Sequence, residues 1–406
     1  MSTPPGRETS LPPLALYVHL PWCERKCPYC DFNSHERRDL PEAAYVDALL
    51  RDLEGELAAT PAIGARPLTS IFIGGGTPSL FSDAGIGQLL SGIRARVDLA
   101  ADCEITMEAN PGSTERSRLK GFVDAGVTRF SLGIQSFDDR CLQRLGRIHS
   151  GDDARRAIEA ARNSGAGSWN LDLMHGLPGQ SLAGGLADLD AAIGASPAHI
   201  SWYQLTIEPN TQFYRSPPVL PEEAVLAALE ERGSARLRAA GYRRYEVSAW
   251  ARPGSECRHN LNYWRFGDYL AVGAGAHGKV TDGSGAVLRY RKTRQPEAYL
   301  AATGTQRRDT RRLTHEDLRG EFMLGALRLS EGFTVELFET RTGLSFAGVR
   351  DAIDALVDEE LLESDRAGIR ATALGHRFLD DVVARFFPGQ DSSGETVIAS
   401  DAPVRA

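Results

Sequence analysis

Residues 14–30 read Leu14-Ala-Leu-Tyr-Val-His-Leu20-Pro-Trp-Cys23-Glu-Arg-Lys-Cys27-Pro-Tyr-Cys30. The first seven are apolar or aromatic apart from one histidine and show no polar alternation, the texture of a strand buried on both faces of a parallel sheet. A proline ends the run, and three cysteines follow within eight residues. The strand texture recurs at Ser70–Ile73, Glu104–Glu108, Arg129–Ile134, Trp169–Met174 and Ile200–Leu205. Between these runs lie helical patterns at Glu42–Ala59, Ala84–Val97, Thr114–Ala125, Asp153–Ala161 and Leu182–Ile193, several opened by Ser, Thr or Asp and closed by Gly. Crossovers between parallel strands are right-handed, so such βα units in series build a doubly wound sheet or an incomplete barrel. An α/β fold follows, with a partial (β/α)6 barrel favoured. In either arrangement ligands gather at the carboxyl ends of the strands.

Further along, Glu222–Ala240 reads as a helix, Arg243–Ser248 as a strand, and Gly267–Gly278 as a Gly-rich segment lining the open side of the barrel. From about Gln306 the texture changes to short amphipathic helices (His315–Arg328, Phe346–Glu359, Thr372–Phe387) with a hairpin around Gly368. The predicted organisation is a flexible lead-in over 1–13, the barrel with its Gly-rich extension over 14–305, a small, mainly helical, winged-helix-like domain over 306–388, and a disordered Ser-, Asp-, Pro- and Ala-rich tail over 389–406.

The chain has 406 residues, enough for two or three domains at roughly 150 residues each. Its 54 acidic and 46 basic side chains leave a net charge of -8, so nothing draws it to phosphate backbones or anionic lipid. Nucleic acid is not an expected partner, and the C-terminal region lacks a dense basic helix. No stretch reaches the roughly 20 apolar residues of a bilayer crossing, and Met1–Ser10 has no apolar core of a signal peptide. A cytoplasmic location is expected. There, three of six cysteines crowded into one loop point to metal rather than to a disulfide framework.

Cys23, Cys27 and Cys30 form a C-x3-C-x2-C set just after the first strand. Three thiolates on one loop can surround an iron–sulfur cube and leave one iron without a protein ligand. A structural zinc site wants four closed ligands, and the nearest candidates for a fourth, His19 and His35, would have to fold back. A cysteine-rich zinc interaction module is therefore one competing reading. The open iron can instead chelate the amino and carboxylate groups of a methionine. Gly74-Gly-Gly-Thr-Pro78 follows the second strand, where glycines let the backbone approach a ligand and offer it amides and carbonyls. Glu108, Gln135 and Asp172 stand at or near the ends of the third, fourth and fifth strands. A polar group in an apolar strand costs free energy unless partnered, and ribose hydroxyls or an amino group would serve. Arg147 is placed to form a bidentate pair with a carboxylate. Tyr29, between the second and third cysteines, reads from residue type alone as loop packing as readily as a ligand contact.

The cysteine spacing resembles the radical S-adenosylmethionine superfamily. Within it, Leu16-Tyr-Val-His-Leu-Pro-Trp-Cys23, Cys27-Pro-Tyr-Cys-Asp-Phe-Asn-Ser34, Gly74-Gly-Gly-Thr-Pro78, Ser131-Leu-Gly-Ile-Gln135 and Asn170-Leu-Asp-Leu-Met-His-Gly-Leu-Pro178 resemble the oxygen-independent coproporphyrinogen III oxidase family. The resemblance runs from about Leu14 to Phe387. It implies a [4Fe-4S] cluster on Cys23, Cys27 and Cys30, with S-adenosyl-L-methionine contacted by Tyr17, Tyr29, Gly75, Gly76, Thr77, Glu108, Gln135, Arg147 and Asp172.

Two departures separate the branches of that family. The oxidases resemble one another in a further cysteine after the cluster motif, where this chain has Asp31 and Phe32, and in a long N-terminal segment, where only sixteen residues precede Tyr17 here. Both count against porphyrinogen decarboxylation, which is kept as the alternative. The other branch is the heme chaperone group, whose hallmark resembles His259-Asn260-Leu-Asn-Tyr263-Trp264 followed by the Gly-rich Gly267–Gly278. That likeness implies heme held by His259, Asn260, Tyr263 and Trp264 and passed to heme-accepting proteins, with no residue assigned a catalytic role. An imidazole can ligate heme iron, and Tyr and Trp offer flat apolar faces to a porphyrin. Cys257 is a second candidate ligand, and a packed loop with a hydrogen-bonded histidine is the structural alternative. Cys103 and Cys141 read as buried apolar residues, and His175 faces either the site or the core.

Overall fold

The computed structural model describes residues 11–303 and 306–387. The first ten residues of the expected lead-in, residues 304–305 at the expected domain boundary and the expected tail lie outside the described residues.

Six strands, β1 (Leu14–Leu20), β4 (Leu68–Gly75), β5 (Leu99–Ala109), β6 (Arg129–Gln135), β7 (Ser168–His175) and β8 (His199–Gln204), lie side by side in sequence order, each parallel to the next. The two short strands numbered between the first pair, β2 (Trp22–Cys23) and β3 (His35–Glu36), form their own ribbon around the cysteine loop. The crossovers run through α1 (Glu42–Ala59), α2 (Asp83–Arg94), α3 (Ser113–Ala125), the pair α4 (Asp139–Arg144) and α5 (Gly151–Arg162), and α6 (Leu182–Ala195). This is the partial (β/α)6 barrel. Local chemistry starts its helices where sequence signals stand: Ser82 accepts from the Gly85 amide, and Ser150 and Asp153 close a capping box on α5. Of the lead-in, Pro12 and Pro13 are held, their carbonyls accepting from Arg66 and from the Asp268 amide.

Beyond β8 come α7 (Gln212–Arg215), α8 (Glu223–Ala239), and β9 (Arg243–Glu246) and β10 (Ala249–Ala251), which add antiparallel strands to the β8 edge. The stretch after Cys257 is not a loop: it forms the seven-residue helix α9 (Arg258–Trp264). The Gly-rich segment is likewise built into the sheet. β11 (Asp268–Val272) pairs in parallel with β1, and β12 (His277–Thr281), β13 (Val287–Lys292) and β14 (Arg307–Arg312) continue antiparallel, giving a 12-stranded sheet. Its glycines serve close packing: a Cβ on Gly273 would stand 2.3 Å from the His19 carbonyl oxygen, and one on Gly275 would strike the Asn33 side chain.

After α10 (Pro296–Ala301), helices α11 (His315–Ala326), α12 (Val335–Thr342) and α13 (Arg350–Asp358), the hairpin β15 (Leu362–Ser364) and β16 (Ile369–Ala371), and α14 (Ala373–Arg377) and α15 (Leu379–Ala384) form the C-terminal unit. Its core of Phe322, Phe333, Phe338, Phe346 and aliphatic neighbours takes in Phe266 and Val287 from the sheet side. The large core of the barrel is separate.

Candidate functional site

The cysteine loop is pinned at both ends. Cys23 closes β2, the Arg37 amide donates to its carbonyl (3.0 Å), and the His35 amide donates to Pro21 (2.7 Å). Lys26 Nζ donates to the carbonyls of Phe32 and Ser34 (3.0 and 3.2 Å), drawing the loop into a ring. From beneath, His19 holds it: its Nε2 lies 2.9 Å from the Asn33 carbonyl and its Nδ1 2.9 Å from the Tyr17 hydroxyl. From the side, Asn33 Nδ2 donates to the carbonyls of Ala274 and Arg294 in the extension. Both nitrogens of His19 are thus committed, which removes one of the two fourth zinc ligands named above; the other, His35, sits on β3 beside β2 with Nε2 unpartnered among the described residues. Burial pushes the Cys23 thiol up to about 11 and raises Cys30 as well, while Arg147 Nη1 reaches the Cys27 sulfur at 3.7 Å. The donors are all sulfur. Among the described residues, no three or more His, Cys, Asp and Glu side chains already converge as a metal cage.

Gly74-Gly75-Gly76 has a structural reason that the sequence reading missed. Gly75 has φ +121°, where a Cβ would stand 2.7 Å from the His19 ring, and a Cβ on Gly76 would lie 2.5 Å from the Trp22 carbonyl oxygen. The amides expected to meet a ligand are already spent: Gly75 donates to Glu108 Oε2 (3.0 Å), Gly76 to Leu20 (2.8 Å) and Thr77 to Trp22 (2.8 Å). From this segment a ligand would meet carbonyls and the Thr77 hydroxyl rather than amides.

Glu108, at the end of β5, accepts that one backbone bond, and burial together with the Asp172 charge pushes its carboxyl up to about 8. Asp172 in β7 accepts from Ser131 Oγ (2.9 Å) and Asn170 Nδ2 (2.7 Å), and its pKa is raised by burial. Gln135, left-handed at φ +65°, accepts from the Tyr203 hydroxyl at 2.8 Å. Arg147 gives Nη2 to Asn110 Oδ1 (2.6 Å) and to the Gly133 carbonyl (2.8 Å), so its donors are shared with the protein rather than reserved for one bidentate pair. Asn110 in turn donates to Thr77 Oγ1 (2.9 Å). Cys27, Thr77, Asn110, Arg147 and His149 line one small cavity beside the loop. Tyr29 stands 6.3 Å from the Phe213 ring in a satellite apolar cluster. Asn110, Tyr203 and His19 were missed: the first two lie just past strand ends or within an apolar run and match no motif, and His19 was weighed only as a metal ligand.

The donor set fits an iron–sulfur cofactor with an aminoacyl ligand. Glu108, buried beside the Asp172 carboxyl with a single backbone donor, meets no cation among the groups that act on it, and an amino group would supply one; Asp172 already feels Arg129. A pH test of the unloaded chain follows. In the unfolded chain Glu108 releases its proton near 4.5, whereas folded it holds the proton to about 8. Its stabilising contribution is therefore full below pH 4.5 and is lost as pH rises through 8. Glu108→Gln is expected to gain about 1–3 kcal/mol on wild type between pH 5 and pH 9, read by urea unfolding. A difference that stays constant with pH would refute it.

The residues near His259 occupy other ground. His259 lies inside the barrel, with Nδ1 3.2 Å from Ser70 Oγ, its ring 5.2 Å from Phe72 and 6.5 Å from Tyr17, and burial pulls its pKa down to about 3. Ser70 is near the start of β4 and Gly75 at its end, so α9 plugs the amino-terminal half while the cysteine loop sits over the carboxyl ends. Asn260 is buried, and Tyr263 packs between Trp264 and Tyr269 (4.8 and 5.2 Å). Trp264 turns away from the barrel interior, under the Arg328 guanidinium at 4.4 Å. Cys257 is buried 3.5 Å from Glu104 Oε1, with its thiol pushed up to about 12 by burial. Cys141 is buried as expected, Cys103 only half so. His175 packs on Trp202 at 4.4 Å, in the core rather than the site.

A partial barrel with three cysteines over the carboxyl ends of its strands defines a radical S-adenosylmethionine protein, and the model of the radical SAM superfamily matches residues 17–188. The HemN C-terminal domain model matches residues 313–378. The chain is 49% identical over 378 residues to "Heme chaperone HemW" of Haemophilus influenzae, covering 93% of this chain and 98% of that protein. To its namesake in Escherichia coli it is 48% identical over 377 residues, covering 93% and 98%. It belongs to the heme chaperone HemW family. Among solved structures, coproporphyrinogen III oxidase (HemN) from Escherichia coli superposes with a TM-score of 0.78 at 22% identity, over 93% of this chain and 91% of that one, a likeness of fold. Membership of the superfamily brings with it a [4Fe-4S] cluster and S-adenosylmethionine. No helix among the described residues is long and apolar enough to cross a membrane.

Proposed function

We propose that this chain binds heme in the cytoplasm and passes it to heme-accepting proteins, with the cluster on Cys23, Cys27 and Cys30. The observation that carries this reading is the end-to-end similarity to proteins named heme chaperones. When bound, the cluster can deliver an electron to the sulfonium of S-adenosylmethionine. The chain's own residues divide the remaining work. Glu108 and Asp172 accept from the amino group and the ribose, Gln135 and Thr77 offer further polar contacts, Arg147 steadies the Cys27 sulfur and the ligand carboxylate, and Tyr17, Tyr29, Gly75 and Gly76 shape the walls. His259, Asn260, Tyr263 and Trp264 serve the heme. His259 is neutral at physiological pH, the state an axial ligand needs, and its burial means that α9 must shift for the ring to meet iron.

Anaerobically reconstituted protein is expected to bind about one heme per chain and to yield it to apomyoglobin. His259→Gln is expected to weaken binding about tenfold or more, with an axial-ligand change in the heme spectrum. Unchanged affinity and spectrum in the variant would remove His259 from the heme site. Formation of protoporphyrinogen from coproporphyrinogen by the reduced, S-adenosylmethionine-loaded protein would overturn the chaperone reading in favour of the decarboxylase.

A further inference from the structure

At the amino-terminal ends of β1 and β4, opposite the cysteine loop, the described residues line an open cavity of about 370 Å³. Leu11, Pro13, Leu14 and Pro67 give it apolar walls, and Arg66 and Arg341 line it from two elements distant in sequence. Arg66 spends Nη1 on the Pro12 carbonyl (2.7 Å) and on Asp268 Oδ2 (2.8 Å). Its Nε and Nη2, and the Nε of Arg341, are buried with no hydrogen-bond partner among the described residues. The acid beside them cannot serve both arginines. Asp268 is fully buried, and its two oxygens already accept from Arg66, Lys279 Nζ (3.2 Å), the Thr281 amide (3.0 Å) and the Thr281 hydroxyl (2.9 Å). Asp268 is thus fully used by Arg66, Lys279 and Thr281, and unpaired guanidinium N–H groups are costly to bury unless an acceptor arrives. The acceptor that matches a planar fork is a carboxylate or similar oxyanion.

We infer that this cavity binds the carboxylate edge of an amphipathic ligand, and, resting on the heme-carrying reading above, that the ligand is heme presenting its propionates. Size and position both favour this occupant. The cavity lies at the small end of ligand pockets, with room for an edge rather than a whole macrocycle. Arg66 also links it to the helix of the His259 motif: its partner Asp268 accepts at its carbonyl from Asn262 Nδ2 (2.9 Å), and Tyr269, the next residue, packs on Tyr263. Apolar walls beside two guanidinium groups suit a ligand that is flat and greasy with acidic tails, and the site is separate from the groups that serve S-adenosylmethionine.

Arg341 has no ion-pair partner among the described residues, so replacing it spares the Arg66–Asp268 pair that holds the fold. The full-length, reconstituted wild type, Arg341→Gln and Arg341→Lys are titrated with heme and with heme dimethyl ester, whose propionates are masked. Arg341→Gln is expected to weaken heme about tenfold, to leave the ester unchanged, and to melt within a few degrees of wild type; Arg341→Lys recovers most of the affinity. Equal heme affinity in wild type and Arg341→Gln, or an equal loss for heme and ester, would overturn the site while the chaperone reading stands. Failure of wild type to bind heme at all would overturn both.

Discussion

Single replacement of Cys23, Cys27 or Cys30 by Ala takes anaerobically reconstituted protein from about four iron and four sulfide per chain to well under one, and abolishes the thiolate-to-iron absorbance. The effect is nearly all-or-none because these three side chains are the only thiolates of the loop, and thiolates are what hold such a cluster. His19, beneath the loop, has both ring nitrogens engaged by Tyr17 and Asn33 and has nothing to lend in compensation. The controls are Cys103→Ala and Cys141→Ala, in β5 and α4, which should keep full iron. Colorimetric iron and sulfide on the same samples decide the matter. A variant lacking Cys27 that retains stoichiometric iron would mean that the metal is held elsewhere, and full occupancy by zinc in the wild type would restore the interaction-module reading.

Legibility in the sequence followed burial. Most of the six parallel strands are buried runs, so they stand out, and β1 and α1 fall on the residues expected; β5 begins at Leu99 rather than Glu104, because its first residues are polar and exposed and carry no such signal. β14 reads Arg-Arg-Asp-Thr-Arg-Arg, with no apolar period at all: it is an exposed edge strand whose residues pair with Asp317 and Glu321 on the next helix, with Arg291 on β13 and with Glu56 on α1, a partner that no local window shows. At seven residues, α9 spans under two turns, too few for a helical period to declare itself. The glycine triplet stands out by its spacing, yet its cause is not the ligand that spacing suggests, because only the assembled sheet reveals His19 and Trp22 pressing on those positions. Motif residues are legible because they crowd; Asn110 and Tyr203 are not, because they act through partners far along the chain.

Lys292→Met is expected to destabilise the protein by about 3–5 kcal/mol, the largest effect foreseen outside the cofactor loop. Lys292 is fully buried on β13, its ammonium 2.5 Å from Asp52 and 2.6 Å from Glu56 on α1. Glu56 keeps a second cation, Arg307 at 2.8 Å, which works against the upward push of burial and helps hold its carboxyl below the usual range. Asp52 has no such reserve. Burial already pushes its pKa up, and its remaining donors are the Tyr299 hydroxyl (2.8 Å) and the Gly273 amide (3.4 Å). Loss of Lys292 thus leaves one uncompensated buried carboxylate, which must either stay charged at high cost or take up a proton. The sign of the pH dependence follows: with its folded pKa raised further, Asp52 contributes stability at low pH that is lost as pH rises, so the variant should fall further behind wild type at pH 8 than at pH 5. Asp52→Asn on the Lys292→Met background should recover about 1–2 kcal/mol at pH 8, because the amide still accepts from Tyr299 without a charge to desolvate. Urea unfolding of the three chains at both pH values tests this, and a double variant no more stable than Lys292→Met alone would refute it. The damage should also travel toward the cofactor. The Tyr299 and Tyr45 hydroxyls accept from the Gly273 and Ala274 amides, the Ala274 carbonyl holds Asn33, and Asn33 anchors the cysteine loop, so Lys292→Met should lose iron faster than wild type on exposure to a chelator.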